Sequence, residues 1–434
     1  MTPPLTRLCA RIEDRSAKVV VVGQGYVGLP VAMRATELGF KVVGYDVAEE
    51  RVRALRAGES YVEDVSDETL RGALAAGYWP TRDPLDLRAF DVAVITVPTP
   101  LRDGVPDLSY IESAARDLAA RLEPGALVVL ESTTYPGTTD ELLRPILEES
   151  GLRSGTDFFC AYSPERIDPG NATWGFVNTP KVVAGVDEPS SRAVEAFYGA
   201  LVDKIVPVAT TREAELVKLL ENTFRHVNIA LVNELAMFAR DLGVDIWSAI
   251  DAAATKPFGY MRFTPGPGVG GHCLPIDPSY LAWRVDRVLG HRFRFVELAN
   301  DVNSHMPEYV VRRVTSLLNS RRQAVNGARI LLLGLAYKAG TSDWRESPAM
   351  RTAELLLALG ADVRAHDAHV PIDARLGPPV TRVELTDEEL ERADLVVLLV
   401  DHPELPYEDI AAKARLVLDT RGRLRDLPFS GEVL

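Results

Sequence analysis

Cysteine is scarce in this 434-residue chain, and long apolar runs are missing. The three cysteines, Cys9, Cys160 and Cys273, are scattered and odd in number, which favours free thiols in a reducing compartment over a disulfide framework. No group of Cys and His residues has zinc-ligand spacing, so the sequence predicts no metal. No stretch approaches the roughly 18 apolar residues of a membrane-spanning helix. Residues 1–16 lack the apolar core of a secretory signal, so we expect a cytoplasmic protein with no membrane partner.

An excess of positive charge is missing as well. The formal net charge is −14, which argues against nucleic acid or an anionic membrane as the main partner. An anionic ligand would therefore need a local group of basic residues or the N-terminus of a helix. The composition, 47% hydrophobic and 25% charged, is that of an ordinary globular enzyme, and the chain is too long for one hydrophobic core.

The order of the apolar segments predicts two α/β regions with a helical region between them. Short runs rich in β-branched residues first alternate with helical stretches, which is typical of a parallel sheet with crossover helices; these runs are 18–23, 41–46, 91–98, 126–132, 158–165 and 181–185. Apolar residues at steps of three and four then predict one long helix over about 211–243, followed by helices over 246–254, 279–289 and 295–319. Strand-like runs return at 328–334, 362–367, 394–400 and 415–421, with a helix over 347–359.

We therefore expect an α/β fold with two Rossmann-like parallel-sheet domains joined by an all-helical central domain with a long helix. The predicted boundaries are 1–210, 211–322 and 323–434. Two α/β domains imply two ligands, or one ligand that bridges a cleft. The long helix carries apolar residues on more than one face, so we expect it to pack against a second copy in a homodimer, which could place Arg262 of one chain near the site of the other.

A nucleotide fingerprint lies at the start of the first α/β region. GQGYVG (23–28) follows a Val-rich strand, precedes a predicted helix, and is followed by Asp46 at the end of the next strand. In this pattern the first glycine permits a tight turn, the second lets a pyrophosphate approach, and the third lets helix and strand pack closely. Asp46 would accept a hydrogen bond from the adenosine ribose and repel a 2′-phosphate, which favours NAD over NADP. Arg51, one turn into the next helix, is the residue that could tolerate such a phosphate.

A glycine- and proline-rich segment, 265–277, carries a second chemical signature. Its four glycines can bring the backbone very close to a ligand, and the segment then presents Cys273 with Asp277 four residues later. A lone cysteine is usually an apolar filler, and a Gly/Pro run is usually a loop. Together with the nucleotide fingerprint, the segment nevertheless points to an oxidation in which a thiol captures an aldehyde. If Pro275 belongs to the first turn of a helix, Cys273 lies near a helix N-terminus, where its pKa would fall.

Three further polar residues occupy positions suited to chemistry. Lys218 and Asn222 lie four residues apart on the predicted long helix, so their side chains share one face. A solvated helix surface is the alternative, but the neighbouring positions are strongly apolar, and a Lys–Asn pair can hold a developing alkoxide. Glu165 lies at the carboxyl end of a predicted strand, where α/β sheets place ligand groups.

These residues resemble one family over nearly the whole chain. In order, the motifs are GQGYVG (23–28), VPTP (97–100), ESTTYPGTT (131–139), SPERIDPGN (163–171), KLLEN (218–222), GPGVGGHCLPIDP (266–278), GLAYK (334–338) and RESPA (345–349). Together they are similar to the UDP-glucose/GDP-mannose dehydrogenase family. Within it, the SPER motif followed by Pro-Gly, TKPFGYM (255–261) and His272 most resemble the bacterial UDP-N-acetylglucosamine 6-dehydrogenases.

The resemblance implies a four-electron oxidation of the C6 hydroxyl of a UDP-sugar by NAD. Asp277, directly or through water, and Lys218 would manage the hydroxyl proton and the alkoxide, and Cys273 would trap the aldehyde as a thiohemiacetal. A second NAD would take the second hydride, and Glu165 and Thr133 would orient the water that hydrolyses the thioester. The three domains would then bind NAD, provide dimerisation and catalytic residues, and bind the UDP-sugar, in that order.

Candidate site residues come from the fingerprint, the glycine-rich segment and the resemblance. The predicted catalytic residues are Cys273, Lys218, Asn222, Asp277, Glu165 and Thr133, with Lys218 and Asn222 as oxyanion donors. Candidate cofactor contacts are Gly23, Gly25, Tyr26, Val27, Gly28, Asp46, Arg51, Pro98, Thr99, Thr133, Glu165 and Arg345. Candidate UDP-sugar contacts are Glu165, Arg166, Lys218, Asn222, Arg262, Phe263, Gly270, Cys273, Lys338 and Arg421. The resemblance places Lys338, Arg345 and Arg421 near the UDP or the facing cofactor, although exposed loop bases are common.

The sugar and the reaction each have alternatives. UDP-glucose enzymes typically carry Phe after the Pro-Glu of SPER and an acidic residue four positions after that Glu, where this chain has Arg166 and Pro169. These departures favour a 2-acetamido sugar, UDP-N-acetylglucosamine first, with UDP-N-acetylmannosamine or UDP-glucose as alternatives. A two-electron 6-phosphogluconate-type dehydrogenase would need neither Cys273 nor a second α/β domain. A catalytically silent nucleotide-sugar sensor is disfavoured because the predicted catalytic residues are all present.

Overall fold

The protein folds into two compact units. The computed structural model describes residues 3–102, 104–168, 171, 173–271, 274 and 276–434. The first unit consists of Met1–Glu221 with Ser279–His291, and the second of Asn222–Pro278 with Arg292–Leu434.

The first unit is built on an eight-stranded sheet. Its strands are short, apolar and mostly buried, as the Val-rich sequence predicts; they are β1 (Lys18–Val22), β2 (Lys41–Tyr45), β3 (Trp79–Thr81), β4 (Val92–Ile95), β7 (Leu127–Leu130), β8 (Phe159–Tyr162), β9 (Lys181–Gly185) and β10 (Ile205–Pro207). Two further short strands, β5 (Leu101–Arg102) and β6 (Val105–Pro106), form an antiparallel hairpin. The order across the large sheet is β10-β9-β8-β7-β4-β1-β2-β3. Its central strands are parallel, so their carboxyl ends lie along one edge.

Two strands of this sheet, β9 and β10, run against the prediction of a parallel sheet, since they are parallel to each other and opposite to the rest. β9 is antiparallel to β8, with Tyr162 opposite Ala184 and Ala161 opposite Gly185. The apolar run at 181–185 does indicate a strand, but an apolar run does not encode its direction. Because β9 is reversed, its first residue, Lys181, lies at the edge where the parallel strands end.

The second unit contains a six-stranded sheet that is parallel throughout. Its order is β13-β12-β11-β14-β15-β16. The strands are β11 (Arg329–Leu333), β12 (Asp362–His366), β13 (Thr381–Arg382), β14 (Leu395–Leu398), β15 (Val417–Asp419) and β16 (Gly431–Val433). The predicted fold class, two Rossmann-like α/β regions with a helical region and a long helix between them, is confirmed.

The helices alternate with the strands in both α/β regions and run consecutively between them. They are α1 (Pro4–Glu13), α2 (Gly28–Glu37), α3 (Glu49–Ala57), α4 (Asp67–Ala75), α5 (Ser109–Ala119), α6 (Arg144–Glu148), α7 (Glu188–Leu201), α8 (Thr211–Asp241), α9 (Ile246–Ala254), α10 (Asp277–Leu289), α11 (Arg294–Ser304), α12 (Met306–Ser320), α13 (Pro348–Ala358), α14 (Asp387–Arg392) and α15 (Tyr407–Lys413). A 3₁₀ turn at Pro84–Leu87 and a π-helical turn at Thr139–Leu143 complete the helical elements of the described residues. In that part of the chain, no helix is both long and apolar enough to cross a membrane.

The helix predicted over 295–319 is wrong in one respect, because the structure has two helices there. α11 ends at Ser304 and α12 begins at Met306, with Pro307 in the first turn of α12. Proline has no N–H to donate and its ring clashes with the carbonyl four residues earlier, so a continuous helix through Pro307 is disfavoured. The long helix α8 does span 31 residues without interruption, as the sequence predicts.

Candidate functional site

The β1–α2 turn is shaped by three glycines. Gly23 has φ +92°, which glycine adopts without strain, and its N–H donates to the carbonyl of Tyr45 at 2.8 Å. A Cβ on Gly28, the first residue of α2, would overlap the carbonyl oxygen of Gly23, so only glycine lets this helix pack against the turn. A Cβ on Gly25 would meet no atom within 4 Å. The space beside Gly25 is therefore open to a ligand.

Asp46, buried directly after β2, fixes the same turn. Its Oδ2 accepts the N–H of Gln24 at 2.9 Å, and its Oδ1 accepts the N–H of Ala48 at 2.9 Å. The Nη1 of Arg51 lies 3.4 Å from Asp46 Oδ2, and its guanidinium carbon lies 5.9 Å from the centre of the Tyr61 ring. The base that could tolerate a 2′-phosphate is thus directly beside the carboxylate expected to repel it.

The other predicted cofactor contacts of the first unit lie on loops that follow its strands. Tyr26 is exposed, and Val27 is half-buried as the residue before α2. Pro98 and Thr99 come after β4, and the Thr99 carbonyl accepts a hydrogen bond from the hydroxyl of Tyr280 at 2.7 Å. These residues lie beyond the carboxyl ends of β1 and β4, where Rossmann sheets bind their ligands.

Glu165 is buried just after β8 and is held by its own loop. Its Oε1 accepts the N–H of Arg166 at 2.6 Å and that of Ile167 at 2.5 Å. Burial raises the pKa of the Glu165 carboxyl, while the Ile167 N–H, the Lys218 ammonium and Arg166 oppose part of that rise. A carboxylate with a raised pKa is better matched to proton transfer near neutral pH than an ordinary glutamate.

Lys218, Arg166 and Thr133 occupy the same unit as Glu165. Lys218 is buried on α8, and Thr133 is half-buried after β7. The guanidinium of Arg166 forms two hydrogen bonds with Glu221, at 2.7 and 3.3 Å, and a third with the carbonyl of Pro180 at 2.5 Å. Arg166 therefore braces the loop that carries Glu165.

Two buried charged residues beside Glu165 are absent from the sequence prediction. The ammonium of Lys181 contacts Glu131 and lies 3.4 Å from Glu165 Oε2. The hydroxyl of Tyr198 on α7 donates to Glu131 Oε2 at 2.7 Å. Glu131 is the first residue of the ESTTYPGTT motif, and that motif could have indicated it. Nothing in the sequence indicated Lys181, because it begins an apolar strand whose direction the sequence does not show.

In the second unit, Asn222 and Asp277 are hydrogen-bonded to each other. The amide nitrogen of Asn222 donates to Asp277 Oδ2 at 2.6 Å, and Asp277 is buried as the first residue of α10. The sequence prediction placed each residue near chemistry but did not pair them. The predicted nucleophile, Cys273, lies outside the described residues, as do His272 and Pro275.

The glycine-rich segment packs closely against the loop after β11. A Cβ on Gly270 would lie 2.7 Å from the carbonyl oxygen of Glu346 and 3.0 Å from the side chain of Tyr337. A Cβ on Gly266 would lie 2.7 Å from Nη1 of Arg421. The structure thus places Gly270 next to the Lys338–Arg345 loop and Gly266 next to Arg421, which groups several predicted UDP-sugar contacts within one unit.

Each of the three arginines predicted to contact ligands in this unit has an acidic partner. Three guanidinium groups each lie within hydrogen-bond distance of an aspartate: Arg262 of Asp251 at 2.8 Å, Arg345 of Asp343 at 2.8 Å, and Arg421 of Asp401 at 2.9 Å. The Lys338 carbonyl accepts the hydroxyl of Thr341 at 3.0 Å. The ring of Phe263 meets that of Phe224 edge-on, with centroids 5.8 Å apart. An anionic ligand at these guanidinium groups would share them with the aspartates.

The turn after β11 has the same features as the turn after β1, a glycine with positive φ and a buried aspartate. Gly334 has φ +92°, and Asp367, buried after β12, accepts the N–H groups of Leu335 at 2.6 Å and Ala336 at 2.9 Å through Oδ2. Burial alone would raise the pKa of Asp367, but the bond from His402 and these N–H donors outweigh it and hold the pKa well below its usual range. The carboxylate is therefore a fixed part of the turn.

One group of metal-ligand residue types occurs among the described residues. The donor atoms of His369, His402 and Glu404 lie within 4.8 Å of one another. The Nδ1 of His402 accepts the N–H of Gly340 at 3.2 Å, however, and its Nε2 lies 3.1 Å from Asp367 Oδ2. Both ring nitrogens already have protein partners, so we assign no metal to this group.

Comparison with known proteins accounts for this arrangement. Profiles of the UDP-glucose/GDP-mannose dehydrogenase family match in order: the NAD binding domain over 17–202, the central domain over 212–305 and the UDP binding domain over 331–426. The UDP-N-acetyl-D-mannosamine dehydrogenase of Pyrococcus horikoshii is 36% identical over 95% of this chain and 97% of its own length. The chain belongs to the UDP-glucose/GDP-mannose dehydrogenase family.

Other similar proteins share the family chemistry but differ in the sugar they are named for. The NDP-N-acetyl-D-galactosaminuronic acid dehydrogenase of Ralstonia nicotianae is 37% identical over 93% of this chain and 95% of its own length. The solved structure of the Pyrococcus horikoshii UDP-D-ManNAc dehydrogenase superposes with a TM-score of 0.86, covering 95% of this chain and 98% of that one at 36% identity. The agreement over whole chains extends the likeness to all three domains.

Family membership makes the protein an NAD-dependent dehydrogenase of UDP-sugars, and the predicted cofactor, NAD, is confirmed. The residues of the first unit fit this cofactor. The open space beside Gly25, the N-terminus of α2 at Gly28 and the carboxylate of Asp46 are the features that a dinucleotide requires.

Proposed function

We propose that the protein oxidises the C6 hydroxyl of a UDP-2-acetamido sugar to the uronic acid in two steps, with the sugar held on Cys273 between them. The strongest support for this proposal is that the side chains at the predicted catalytic positions are buried or hydrogen-bonded. Glu165 and Lys218 are buried near each other in the first unit, and Asn222 is hydrogen-bonded to Asp277 in the second. Each is held in place by partners, as groups that act on a bound substrate require.

In the first step, Asp277 and Lys218 handle the C6 hydroxyl. NAD, when bound, supplies a hydride acceptor, and two molecules are consumed in turn. Asp277 accepts the hydroxyl proton, directly or through water, and the ammonium of Lys218 stabilises the developing alkoxide. The hydrogen bond from Asn222 keeps the Asp277 carboxylate oriented for this transfer.

In the second step, the thiolate of Cys273 adds to the C6 aldehyde and forms a thiohemiacetal anion, with the negative charge on the former carbonyl oxygen. Loss of a second hydride from C6 to NAD converts this anion to a thioester, so no further proton is transferred. The covalent bond prevents the aldehyde from diffusing away between the two oxidations, and the thioester is a reactive acyl group towards water.

Hydrolysis of the thioester requires a base and an oxyanion site. Glu165 takes a proton from the attacking water, which Thr133 helps to orient. Lys218 and Asn222 donate to the oxyanion as the carbon–sulfur bond breaks and the thiolate leaves. The raised pKa of Glu165 suits a base that works near neutral pH.

UDP-N-acetyl-D-mannosamine is the substrate we place first. A relative with that name is 36% identical over 95% of this chain. The motif features favour UDP-N-acetylglucosamine, which differs from it only in configuration at C2. Arg166 stands where UDP-glucose enzymes typically carry Phe, and its bonds to Glu221 brace the loop beside Glu165. This departure supports a substrate other than UDP-glucose.

A panel of UDP-sugars tests the proposal. Purified protein is incubated with NAD and, separately, UDP-N-acetyl-D-mannosamine, UDP-N-acetylglucosamine, UDP-N-acetylgalactosamine and UDP-glucose, and kcat/KM is measured from NADH formation. We expect the highest value with a 2-acetamido sugar and a loss of several orders of magnitude in the Cys273→Ser variant, because an alkoxide leaves less readily than a thiolate. Higher kcat/KM with UDP-glucose, or near-normal turnover of Cys273→Ser, would contradict the proposal.

We also propose a homodimer formed through α8. The side chains of Leu231, Leu235 and Phe238, at helical spacing on α8, are 52%, 42% and 54% exposed in the single chain. Exposed apolar side chains in such a row are typical of a surface covered by a partner. Light scattering should give twice the 47.5 kDa chain mass at micromolar concentration, and a Leu231→Glu/Phe238→Glu variant should give the mass of one chain. A single-chain mass for the unmodified protein would rule the dimer out.

A further inference from the structure

The carboxylate of Glu165 belongs to a buried group of charges, and the proposed reaction does not use the other two members, Glu131 and Lys181. Glu131, directly after β7, is fully buried, and Lys181, the first residue of β9, is 4% exposed. The ammonium of Lys181 contacts Glu131 Oε1 and lies 3.4 Å from Glu165 Oε2. One buried ammonium thus touches two buried carboxylates, one of which is the proposed base.

The topology of the sheet brings these three residues together. β7 and β8 are parallel, so Glu131 and Glu165, which come after them, lie at the same edge. β9 is antiparallel to β8, so its first residue reaches that edge as well. A parallel β9 would have put Lys181 at the opposite edge of the sheet. The reversed strand therefore delivers a cation to the place where the two carboxylates meet.

Because this group is buried, its negative charges must be matched by positive charges nearby. Two carboxylates this close in a medium of low dielectric cannot both ionise without a counter-charge, and one would take up a proton. Tyr198 neutralises no charge, although its hydroxyl bonds Glu131 Oε2 at 2.7 Å. Burial and the ammonium of Lys218 lower the pKa of Lys181, whereas contact with two carboxylates favours its charged form.

We propose that Lys181 is a positioning residue for catalysis, which through its contacts with Glu131 and Glu165 keeps Glu165 ionised and aimed for activation of the hydrolytic water. The inference rests on the proposed function, in which Glu165 is the base that hydrolyses the thioester. Lys181 itself touches neither substrate nor cofactor in this role.

Several other groups face Glu165 and also affect the ionisation of its carboxyl group. Lys218 approaches from α8 and Arg166 from the Glu165 loop, and both favour the ionised carboxylate. Tyr198 faces it from α7, and the nearby Glu165 charge contributes to the raised pKa of that phenol after burial. Arg166 is also engaged by Glu221, whereas Lys181 contacts both Glu131 and Glu165.

The test compares the acid limb of the pH profile of kcat in four full-length variants. Lys181→Met leaves two buried carboxylates without their cation, so the acid limb should move up by about 1–2 pH units. Lys181→Arg keeps the charge and should shift it by less than about 0.5 unit. Lys181→Met/Glu131→Gln removes the competing carboxylate and should bring the limb back at least halfway. Assays use NAD and whichever UDP-sugar of the panel gives the highest kcat/KM.

Lys18→Met is the matched control. Lys18 is also the first residue of a strand of this sheet, and its ammonium is also engaged, by the carbonyls of Asp86 and Arg88 at 2.8 and 2.6 Å. It begins a parallel strand and so lies at the opposite edge from Glu165. Its replacement should leave the acid limb unchanged. If Lys181 were merely structural, Lys181→Met would lower the melting temperature. The acid limb would then not shift in Lys181→Met and return in Lys181→Met/Glu131→Gln.

A second measurement does not depend on turnover. In protein labelled with ¹³C at the glutamate carboxyl carbons, the resonance missing in Glu165→Gln identifies Glu165, and its pKa is read by titration. Lys181→Met should raise that pKa, and Glu131→Gln alone should lower it. If Lys181→Met does not fold, Glu131→Gln and Lys181→Met/Glu131→Gln still decide, because they differ only at residue 181. The pKa of Glu165 should be higher in the double variant, and equal pKa values would contradict the role of Lys181.

The outcomes separate this inference from the proposed function. Normal turnover of Glu165→Gln would contradict the role of Glu165 and remove the basis for Lys181 with it. A strongly impaired Glu165→Gln together with an unchanged acid limb in folded Lys181→Met would contradict only the role of Lys181. An equal shift in Lys181→Arg and Lys181→Met would do the same, because charge would then not be the cause.

Discussion

The two Rossmann-like regions build the same turn and then diverge. In each, a glycine with φ +92° comes after the first strand, Gly23 after β1 and Gly334 after β11. In each, an aspartate after the next strand accepts backbone N–H groups of that turn, one for Asp46 and two for Asp367. The turn and its carboxylate are therefore features of the fold. They do not by themselves specify a dinucleotide.

The two regions differ in the length of the loop between this turn and the next helix. Only residues 23–27 separate β1 from α2, so the helix N-terminus and the open space beside Gly25 are available to a pyrophosphate. Residues 334–347 separate β11 from α13, and this longer loop carries Lys338 and Arg345. In the first region backbone N–H groups can bind an anion, whereas in the second we propose that side chains of the loop do so.

The sharpest test of this comparison uses two glycines of the first turn. Gly28→Ala should abolish NAD binding and lower the melting temperature strongly, because its Cβ would overlap the Gly23 carbonyl and α2 would have to move. Gly25→Ala should fold like the unmodified protein and still lose NAD affinity, because its Cβ meets nothing until the pyrophosphate arrives. Calorimetric titration with NAD and thermal unfolding distinguish the two. Normal NAD affinity in Gly25→Ala would show that the open space is not the pyrophosphate site.

Asp46 and Asp367 both accept backbone N–H groups, but only Asp46 is predicted to contact a cofactor. The preference for NAD over NADP tests this additional role. Loss of the ribose hydrogen bond and repulsion of a 2′-phosphate are worth on the order of 2–4 kcal/mol, or roughly 30- to 1000-fold in kcat/KM for NAD over NADP. The Arg51 guanidinium, 3.4 Å from Asp46, should hold the preference towards the lower end of that range. Asp46→Ser should relax it and Arg51→Ala should increase it. Comparable efficiency with both cofactors in the unmodified protein would show that Arg51 outweighs Asp46.

Removing the charge of Asp367 should destabilise the second turn more than the same change at Asp46 does the first. Asp367 accepts two N–H groups of the β11 turn, two of its own loop and a bond from His402, and an asparagine would set an NH₂ against some of these donors. We expect Asp367→Asn to lower the free energy of unfolding by about 2–3 kcal/mol.

The pH dependence of that effect has a definite sign. Because the folded pKa of Asp367 is depressed, its contribution is present above the ordinary value of 3.8 and is lost as the pH falls below it. Urea unfolding at pH 7 and pH 3.5 should therefore show a smaller difference between variant and unmodified protein at the lower pH. A difference that does not change with pH would contradict the assignment.

Glu215 provides the opposite case in the first unit. It is fully buried on α8 and accepts the N–H of Gly137 at 2.5 Å and of Thr139 at 2.8 Å, but burial raises its pKa to about 7. Its folded pKa is higher than the ordinary 4.5, so its contribution to stability is lost as the pH rises through about 7. Between pH 5 and pH 8 the unmodified protein should lose roughly 2 kcal/mol relative to Glu215→Gln. Parallel stability curves for the two proteins would show that the carboxyl does not titrate in this range.

Most of the fold, and the turn after β1, could be predicted from local patterns in the sequence. The Val-rich runs, the glycine spacing and the apolar periodicity of α8 act over a few residues, so each could be read directly. The direction of β9 depends on strand pairing over distance, and that is why Lys181 was missed although its strand was located correctly. The bond between Asn222 and Asp277 joins residues 55 positions apart, and nothing local indicates it. The break before Pro307 was readable, since proline in a helical pattern ends or kinks a helix.

The ratio of NADH to product shows whether the enzyme oxidises one nucleotide-sugar in two linked steps. A limiting amount of the preferred UDP-sugar is converted to completion with excess NAD, NADH is measured by absorbance, and free aldehyde is trapped with a hydrazine reagent. We expect two NADH and one uronic acid for each UDP-sugar consumed, with no trapped aldehyde, because Cys273 holds the sugar between the two hydride transfers. One NADH for each sugar with aldehyde released into solution would contradict it.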